Sequence, residues 1–390
     1  MIYNVPPLPP AYLDVVEEVN YLRRQLRYST QTNPRRWTGL IRQSAFARAI
    51  QSSNSIEGYN VTYEDAVAAV EGEEPLDGKT EAWAAVSGYR AAMTYILQLA
   101  DDPYYVHNEG TLRSLHYIMV GFDLNKHPGR WRPGGIYVRR EPSGETVYEG
   151  PDHELVPPLM REFIESLNSE DDLPPLIKAA MAHLNLVMIH PFSDGNGRMG
   201  RAVQTMMLAR EGIVDPLFSS IEEYLGHNTQ DYYRVLAEVG QGKWNPHHDP
   251  LPWIRFCLTA HYRQAETLLR RIKEVEKLWG MLEGELAYLK LNERMLLALV
   301  DAALGVRLRN ATYRKTADVS DEVAGKDLRT LVGHQLIQPH GEKRGRYYSA
   351  APALLALRVR AREPKVVTDP FTNTTEPGRE DQLSLFEGGK

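Results

Sequence analysis

Residues 174–189 read P-P-L-I-K-A-A-M-A-H-L-N-L-V-M-I. Leu176, Ile177, Ala179, Ala180, Met181, Leu184, Leu186, Val187, Met188 and Ile189 leave this helix-period segment almost no polar face. A helix that is apolar all round must lie in the middle of a domain. It is expected to stop at His190-Pro191, because the residue before proline is pushed out of the helical region. A second apolar helix is expected over residues 199–210. The residues between, H-P-F-S-D-G-N-G-R-M-G-R at 190–201, therefore form a loop gripped from both sides by core helices.

The rest of the chain offers that core enough partners. It has 390 residues, 43% hydrophobic and 25% charged, which suits two or three domains. Helical periodicity covers residues 12–70, 80–99, 110–120 and 152–167, and continues from 199 to about 280. Between 135 and 150 the period changes to alternation around Glu141-Pro142-Ser143-Gly144-Glu145, which predicts a β-hairpin. The expected fold is mainly α with this one hairpin. The expected domains are an N-terminal helical region at 1–105, a core at 106–280 and a small unit at 285–350. Residues 362–390 are rich in Pro, Thr, Glu, Asp and Gly and are expected to be disordered.

The net charge of −6 and pI near 6.1 argue against wholesale nucleic-acid binding. The single cysteine, Cys257, excludes an internal disulfide framework and reads as a buried thiol in a reducing compartment. The opening M-I-Y-N-V-P-P-L-P-P has no basic stretch followed by an apolar run, and no apolar run of spanning length follows. A soluble cytoplasmic protein with no membrane partner is expected.

The loop carries a set of parts suited to phosphate chemistry. Gly195, Asn196 and Gly197 precede a helix, where bare backbone N–H groups and the helix dipole attract anions. Arg198 and Arg201, three apart, can clamp two phosphates of one polyphosphate. Asp194 is a hard oxygen ligand suited to Mg²⁺ that bridges phosphates. His190 can accept a proton near neutral pH. Singly, each residue has a bland reading as a cap or a solvated charge; the concentration of all of them in twelve positions favours a site.

The stretch H-P-F-S-D-G-N-G-R-M-G-R resembles the signature H-P-F-x-[D/E]-G-N-G-R-x-x-R of the Fic (filamentation induced by cAMP) family at every position. The resemblance implies transfer of AMP from ATP to a hydroxyl of a target protein, self-modification included. It assigns His190 as general base and Asp194 to Mg²⁺. Asn196 and the backbones of Gly195 and Gly197 take the α- and β-phosphates, Arg198 the β-phosphate and Arg201 the γ-phosphate. Phe192 anchors the loop. The 135–150 hairpin becomes a flap on which a target protein docks by strand addition. The segment D-Y-Y-R-V-L at 231–236 resembles the part that packs on adenine, with Tyr233 the first candidate and Tyr232 the second. The alternative for both tyrosines is a core-facing helix. Gly240 stands where some relatives carry asparagine.

Residues 53–58, S-N-S-I-E-G, resemble the family's inhibitory motif through Ser53, Glu57 and Gly58. By that resemblance Glu57 pairs with Arg201, occupies the γ-phosphate position and leaves ATP in an unproductive pose. In some relatives the same glutamate aligns a water that removes AMP, so an AMP-removing or other nucleotidyl-transferring enzyme is the alternative. A DNA-linked regulator that senses ATP is a third.

Residues 285–350 resemble a winged helix, with the recognition helix at 319–332 and the wing at 340–348. Asp321, Glu322 and Asp327 oppose Lys326 and Arg329 on that helix, which favours protein docking or dimer packing over DNA. In the tail, Gln382, Leu383, Ser384, Leu385 and Phe386 resemble the pentapeptide that binds the bacterial sliding clamp, with a sticky tail as the alternative. Three further features are set aside. Residues 76–80 lack the glycine spacing and strand of a phosphate loop. His183 reads as a satisfied core histidine, and His247-His248 as a loop flanked by prolines.

Overall fold

The computed structural model describes residues 1–32, 37–73, 80–140, 143–212, 218–342, 345–372 and 374–377. The chain divides into two compact units, Met1–Glu266 and Thr267–Lys390. That division falls inside one long helix, earlier than the boundary after residue 280 expected from sequence.

The first unit holds helices α1 (Pro10–Arg27), α2 (Thr38–Ile56), α3 (Tyr63–Glu71), α4 (Glu81–Ala100) and α5 (Glu109–Val120). The hairpin β1 (Tyr137–Arg140) and β2 (Glu145–Glu149) follows, then α6 (Val156–Leu167), α7 (Pro175–Ile189) and α8 (Asn196–Ala209). Next come α9 (Glu222–His227), α10 (Thr229–Gly240), the short strand β3 (Gly242–Lys243) and the start of α11 (Leu251–Tyr288). Helix starts follow side-chain chemistry: Thr62, Thr80 and Asn108 each accept a hydrogen bond from the third backbone N–H beyond them. Proline supplies the first turn of α7, where no N–H is needed.

Helix α7 is buried along nearly its whole length, as its composition requires. Ile189, Leu186 and Ala182 from α7 share one core with Met199, Ala202, Val203 and Met206 of α8 and with α4, α5 and α6. The N-terminal segment of residues 1–4 is tied to the same helix. Tyr3 N–H donates to Asn185 Oδ1 (2.8 Å), and Asn185 Nδ2 donates back to Tyr3 O (3.0 Å). Strands β1 and β2 pair antiparallel with a bulge between Val138 and Arg139, and β3 joins β2 in parallel. Strand β1 is thus an edge of the sheet. Cys257 is a free, buried thiol, and no described helix is long and apolar enough to cross a membrane.

The second unit contains the rest of α11, then α12 (Met295–Ala303), α13 (Asn310–Ala317), α14 (Asp321–Gly333), β4 (Ile337–His340), β5 (Tyr347–Ala350) and α15 (Pro352–Ala361). Leu308 bridges to Tyr348, which adds a third extended segment beside the β4–β5 hairpin. Strands β6 (Val366–Asp369) and β7 (Thr374–Pro377) then pair antiparallel. Disorder from residue 362 is therefore corrected for the strands at 366–369 and 374–377. Their alternating Val-Val-Thr-Asp and Thr-Thr-Glu-Pro segments satisfy one another's backbone groups, which composition alone does not reveal. The clamp-like pentapeptide at Gln382 to Phe386 lies outside the described residues, as do Lys343 and Arg344 of the wing.

Asp327 also needs correction. It does not face outward against Lys326 and Arg329. It is buried, accepts two hydrogen bonds from Arg294 (2.6 and 2.9 Å) and accepts a third from the Tyr313 hydroxyl (3.0 Å).

Candidate active site

The loop between α7 and α8 is fixed by backbone geometry before any charge is considered. His190 ends α7 in the left-handed region, φ 52°. Gly195, φ 77°, opens α8, and a Cβ there would press on Val120 and His116. Phe192 is fully buried and stacks on His116, ring centres 3.7 Å apart and planes 5° from parallel. Burying such a ring contributes about 2–3 kcal/mol. His116 also receives the Gly129 N–H at Nδ1 (2.9 Å), so its Nε2 carries the proton and donates to Asp194 O (2.9 Å). Burial pushes the pKa of His116 down to about 4, which keeps that tautomer neutral.

Asn196 also has a role within the loop itself. Its side chain is almost fully buried and closes a reciprocal pair with Phe192: Phe192 N–H donates to Oδ1 and Nδ2 donates to Phe192 O, both 2.9 Å. The amide thereby holds the loop shut on itself. The first-turn backbone N–H groups of α8 remain the anion-binding feature.

His190 presents one nitrogen. Its Nδ1 donates to Val187 O (3.0 Å), so Nε2 is the unprotonated, basic atom. Burial lowers its pKa below the ordinary histidine value, with Arg132 adding to the effect. Arg132 locks the surroundings. Its Nε donates to His190 O (2.8 Å), one terminal nitrogen to Gly134 O (2.5 Å) and the other to Pro151 O. Both feet of the 135–150 hairpin are thereby pinned to the start of the loop after α7.

The two arginines differ. Arg201 is buried; its Nε and one terminal nitrogen bond Ser53 Oγ and Ser53 O, both 2.8 Å. The same terminal nitrogen reaches Glu57 Oε1 at 2.8 Å. Burial opposes the charge on Arg201, but Glu57 beside it outweighs that and holds its pKa above the ordinary arginine value. Ser53 and Glu57 thus both meet Arg201, and Gly58 supplies the left-handed turn (φ 84°) after α2. Glu57 lies so close over Gly197 that a Cβ at that glycine would collide with Oε1. Arg198 is fully buried, yet none of its three nitrogens makes a hydrogen bond. Its neighbours are the Tyr59 ring, centred 5.0 Å away, and Asp194 Oδ2 at 3.8 Å.

Asp194 keeps its carboxylate partly exposed and pairs with Lys126 Nζ at 3.2 Å. Burial alone would raise its pKa, but Arg198, the Gly195 N–H and Lys126 together hold it below the ordinary value. No cluster of three or more His, Cys, Asp or Glu side chains that could hold a metal occurs among the described residues.

The tyrosines separate cleanly. Tyr232 is buried and its hydroxyl meets His183 Nε2 (3.1 Å), so it is a core residue and not an adenine platform. His183 in turn bonds Gln204 (2.6 Å), which confirms it as a satisfied core histidine. Tyr233 is exposed, and its hydroxyl donates to Ile56 O (3.2 Å), beside Glu57. At Gly240 a Cβ would press on the Tyr148 ring, so Tyr148 fills the space that a side chain there would take. Sequence reasoning missed Lys126, His116, Arg132, Tyr59 and Tyr148. They lie outside the loop motif and carry no spacing signal; only the fold brings them to it.

Residues 107–208 match the sequence profile described as the Fic/DOC family. The protein adenylyltransferase Fic of Drosophila willistoni is 30% identical over 218 residues, 55% of this chain and 40% of that protein. Its counterpart in Drosophila mojavensis is 29% identical over 218 residues, 55% of this chain and 39% of that protein. The chain spans less than half the length of these curated relatives. Among solved structures, a Fic family protein from Desulfovibrio desulfuricans G20 is similar with a TM-score of 0.57 at 23% identity, over 90% of this chain and 99% of that one. Fic-1 of C. elegans, residues 134–508, aligns with a TM-score of 0.54 at 19% identity, over 67% of this chain and 73% of that one. The structural likenesses show a shared fold.

Proposed function

Residues 107–208 make this chain a Fic-domain protein, and from that premise we propose that it is an autoinhibited adenylyltransferase that moves AMP from ATP to a hydroxyl of a target protein. One observation carries the proposal. At the N-terminus of α8, Arg198 is buried with no guanidinium nitrogen in a hydrogen bond, its approach to Asp194 Oδ2 being a long 3.8 Å. Orphaned buried donors of this kind are costly in a folded protein and mark a place for an anion. Arg201, one helical turn on, has its partner in Glu57, and one of its nitrogens is also unpaired.

The proposed step follows from the geometry. ATP lies with its phosphates on the first turn of α8, Arg198 on the β-phosphate and Arg201 on the γ-phosphate. A target hydroxyl approaches His190 Nε2, whose orientation Val187 fixes. The oxygen attacks the α-phosphorus, its proton passes to Nε2, and the bond to pyrophosphate breaks. Asp194, an accessible carboxylate beside the arginine donors, is the residue that would hold a Mg²⁺. When bound, that ion neutralises charge on the phosphates. Strand β1, as a sheet edge tied through Arg132 to His190, suits docking of an extended target segment.

Glu57 acts as the brake. Its carboxylate stands on Arg201 and above Gly197, where it excludes the γ-phosphate from its productive place. Self-modification follows if an accessible hydroxyl of the chain reaches His190. We read the second unit as a winged helix, supported by the order of α12, the extended residue Leu308, α13, α14, β4 and β5.

The test is label position. The purified Glu57→Gly protein, incubated with ATP labelled at the α- or the γ-phosphate, should leave protein-bound label only from the α-position, and none with His190→Ala added. Retained γ-label would identify a kinase and discard AMP transfer.

A further inference from the structure

Lys126 has no part in the motif that marks this site, yet it occupies the site's centre. It ends a short 3-10 turn, Leu124–Lys126, after α5. Its Nζ lies 3.2 Å from Asp194 Oδ2, the carboxylate assigned to the divalent ion. The same ammonium donates to the Tyr59 hydroxyl. Glu81 (3.4 Å) and Asp123 (4.0 Å) are the other carboxylates near it. Tyr59 directly follows Glu57 and Gly58, and its ring faces the unpaired guanidinium of Arg198 at 5.0 Å. Phe122 braces that ring edge-on. One turn of chain therefore places Glu57 on Arg201 and Tyr59 on Arg198, and Lys126 ties that turn to Asp194.

On the reading of this loop as a nucleotide site, we propose that Lys126 is a positioning residue: the resting counter-ion of Asp194, which the nucleotide's divalent ion displaces, loosening Tyr59 from Arg198. The chemistry requires a choice. An ammonium at 3.2 Å and a hard dication cannot share one carboxylate oxygen without strong like-charge repulsion. Lys126 has alternatives at hand, since Glu81 and Asp123 can accept it when it leaves Asp194. Once it turns away, the hydroxyl anchor of Tyr59 is lost and the face of Arg198 opens to phosphate. Metal loading and uncovering of Arg198 become one exchange, separate from the displacement of Glu57.

The test measures binding without turnover. Full-length Glu57→Gly protein is titrated calorimetrically with α,β-methylene-ATP, with and without Mn²⁺, and the ratio of the two affinities is the readout. Lys126→Met should raise that ratio about threefold to fivefold, the scale of a partly exposed ion pair. Lys126→Arg, which keeps the charge, should return it towards the parent value. Tyr59→Phe should raise it in the same direction by less, and should speed amide exchange at residues 57–60. An unchanged or lower ratio in Lys126→Met overturns the inference. If Lys126→Met fails to fold, Lys126→Gln and Tyr59→Phe decide it by the same criterion. Asp194→Asn separates the two levels. Should it keep the full Mn²⁺ gain, the site reading itself falls; should it lose the gain while Lys126→Met matches the parent, only the role of Lys126 falls.

Discussion

Two arginine–carboxylate pairs, one in each unit, look alike in a list of contacts and differ in kind. In the second unit the carboxylate is the buried member: Asp327 accepts three hydrogen bonds, from Arg294 twice and from Tyr313, while Arg294 reaches the surface. In the first unit the cation is the buried member: Arg201 is sealed in with one nitrogen unpaired, while Glu57 is partly exposed. A saturated anion under a surface cation leaves nothing to exchange. A buried cation under a removable anion can trade that anion for another. The direction of burial, more than the distance, separates a structural ion pair from a ligand site with an occupant of its own.

The largest effect tests the chemistry on the exchangeable side. In the Glu57→Gly background, His190→Ala should lower transfer of label from ATP by about 10²–10⁴-fold, the range of a general base, as measured by initial rates. A smaller loss would move the base elsewhere.

The next compares the pairs directly. Asp327→Ala should cost the second unit about 3 kcal/mol in thermal unfolding, because Tyr313 and Arg294 lose a common acceptor. Added ATP should not restore it. Glu57→Gly should also lose stability, since Arg201 keeps a buried charge, but ATP at a hundredfold its Kd should return about 2.7 kcal/mol. Equal responses to ATP would erase the distinction.

Acid should act on the first unit through its buried neutral histidines. His116, at about 4, and His183, at about 3, titrate in the folded state below the ordinary value near 6.5. A depressed folded pKa means the unfolded chain takes up protons first as pH falls. Their contribution is complete above about 6.5 and is lost as pH falls from there towards 4, which far-UV circular dichroism across that window measures. His190 is shifted in the same direction, so transfer by Glu57→Gly protein should stay level down to about pH 6.5 and decline only below it.

The smallest effect concerns the adjacent tyrosines. Tyr232→Phe removes a hydroxyl bonded to His183 and should cost about 1 kcal/mol of stability, leaving ATP affinity within about twofold. A large loss of affinity would return Tyr232 to the nucleotide.

Much of the first unit was legible because its signals are local. An apolar helix, a proline stop and glycines before a second apolar helix place the loop after α7 without tertiary information, although α8 starts at Asn196 and not at the expected residue 199. The hairpin and the pairing of Glu57 with Arg201 were likewise readable, the latter only through a resemblance. What failed depended on contacts distant in sequence. Tyr232 is bonded to His183 in α7, and Asp327 to Arg294. Lys126 meets Asp194 across 68 positions, and no pattern of spacing announces such a meeting.

The most direct measurement is self-labelling with α-labelled ATP by wild-type, Glu57→Gly and Glu57→Gly/His190→Ala proteins at equal concentration. With Glu57 occupying the place of the outer phosphate, Glu57→Gly should label at least about tenfold faster than wild type, a barrier difference of about 1.4 kcal/mol, and the double variant should fall to background. Labelling by Glu57→Gly at or below the wild-type rate would contradict the account.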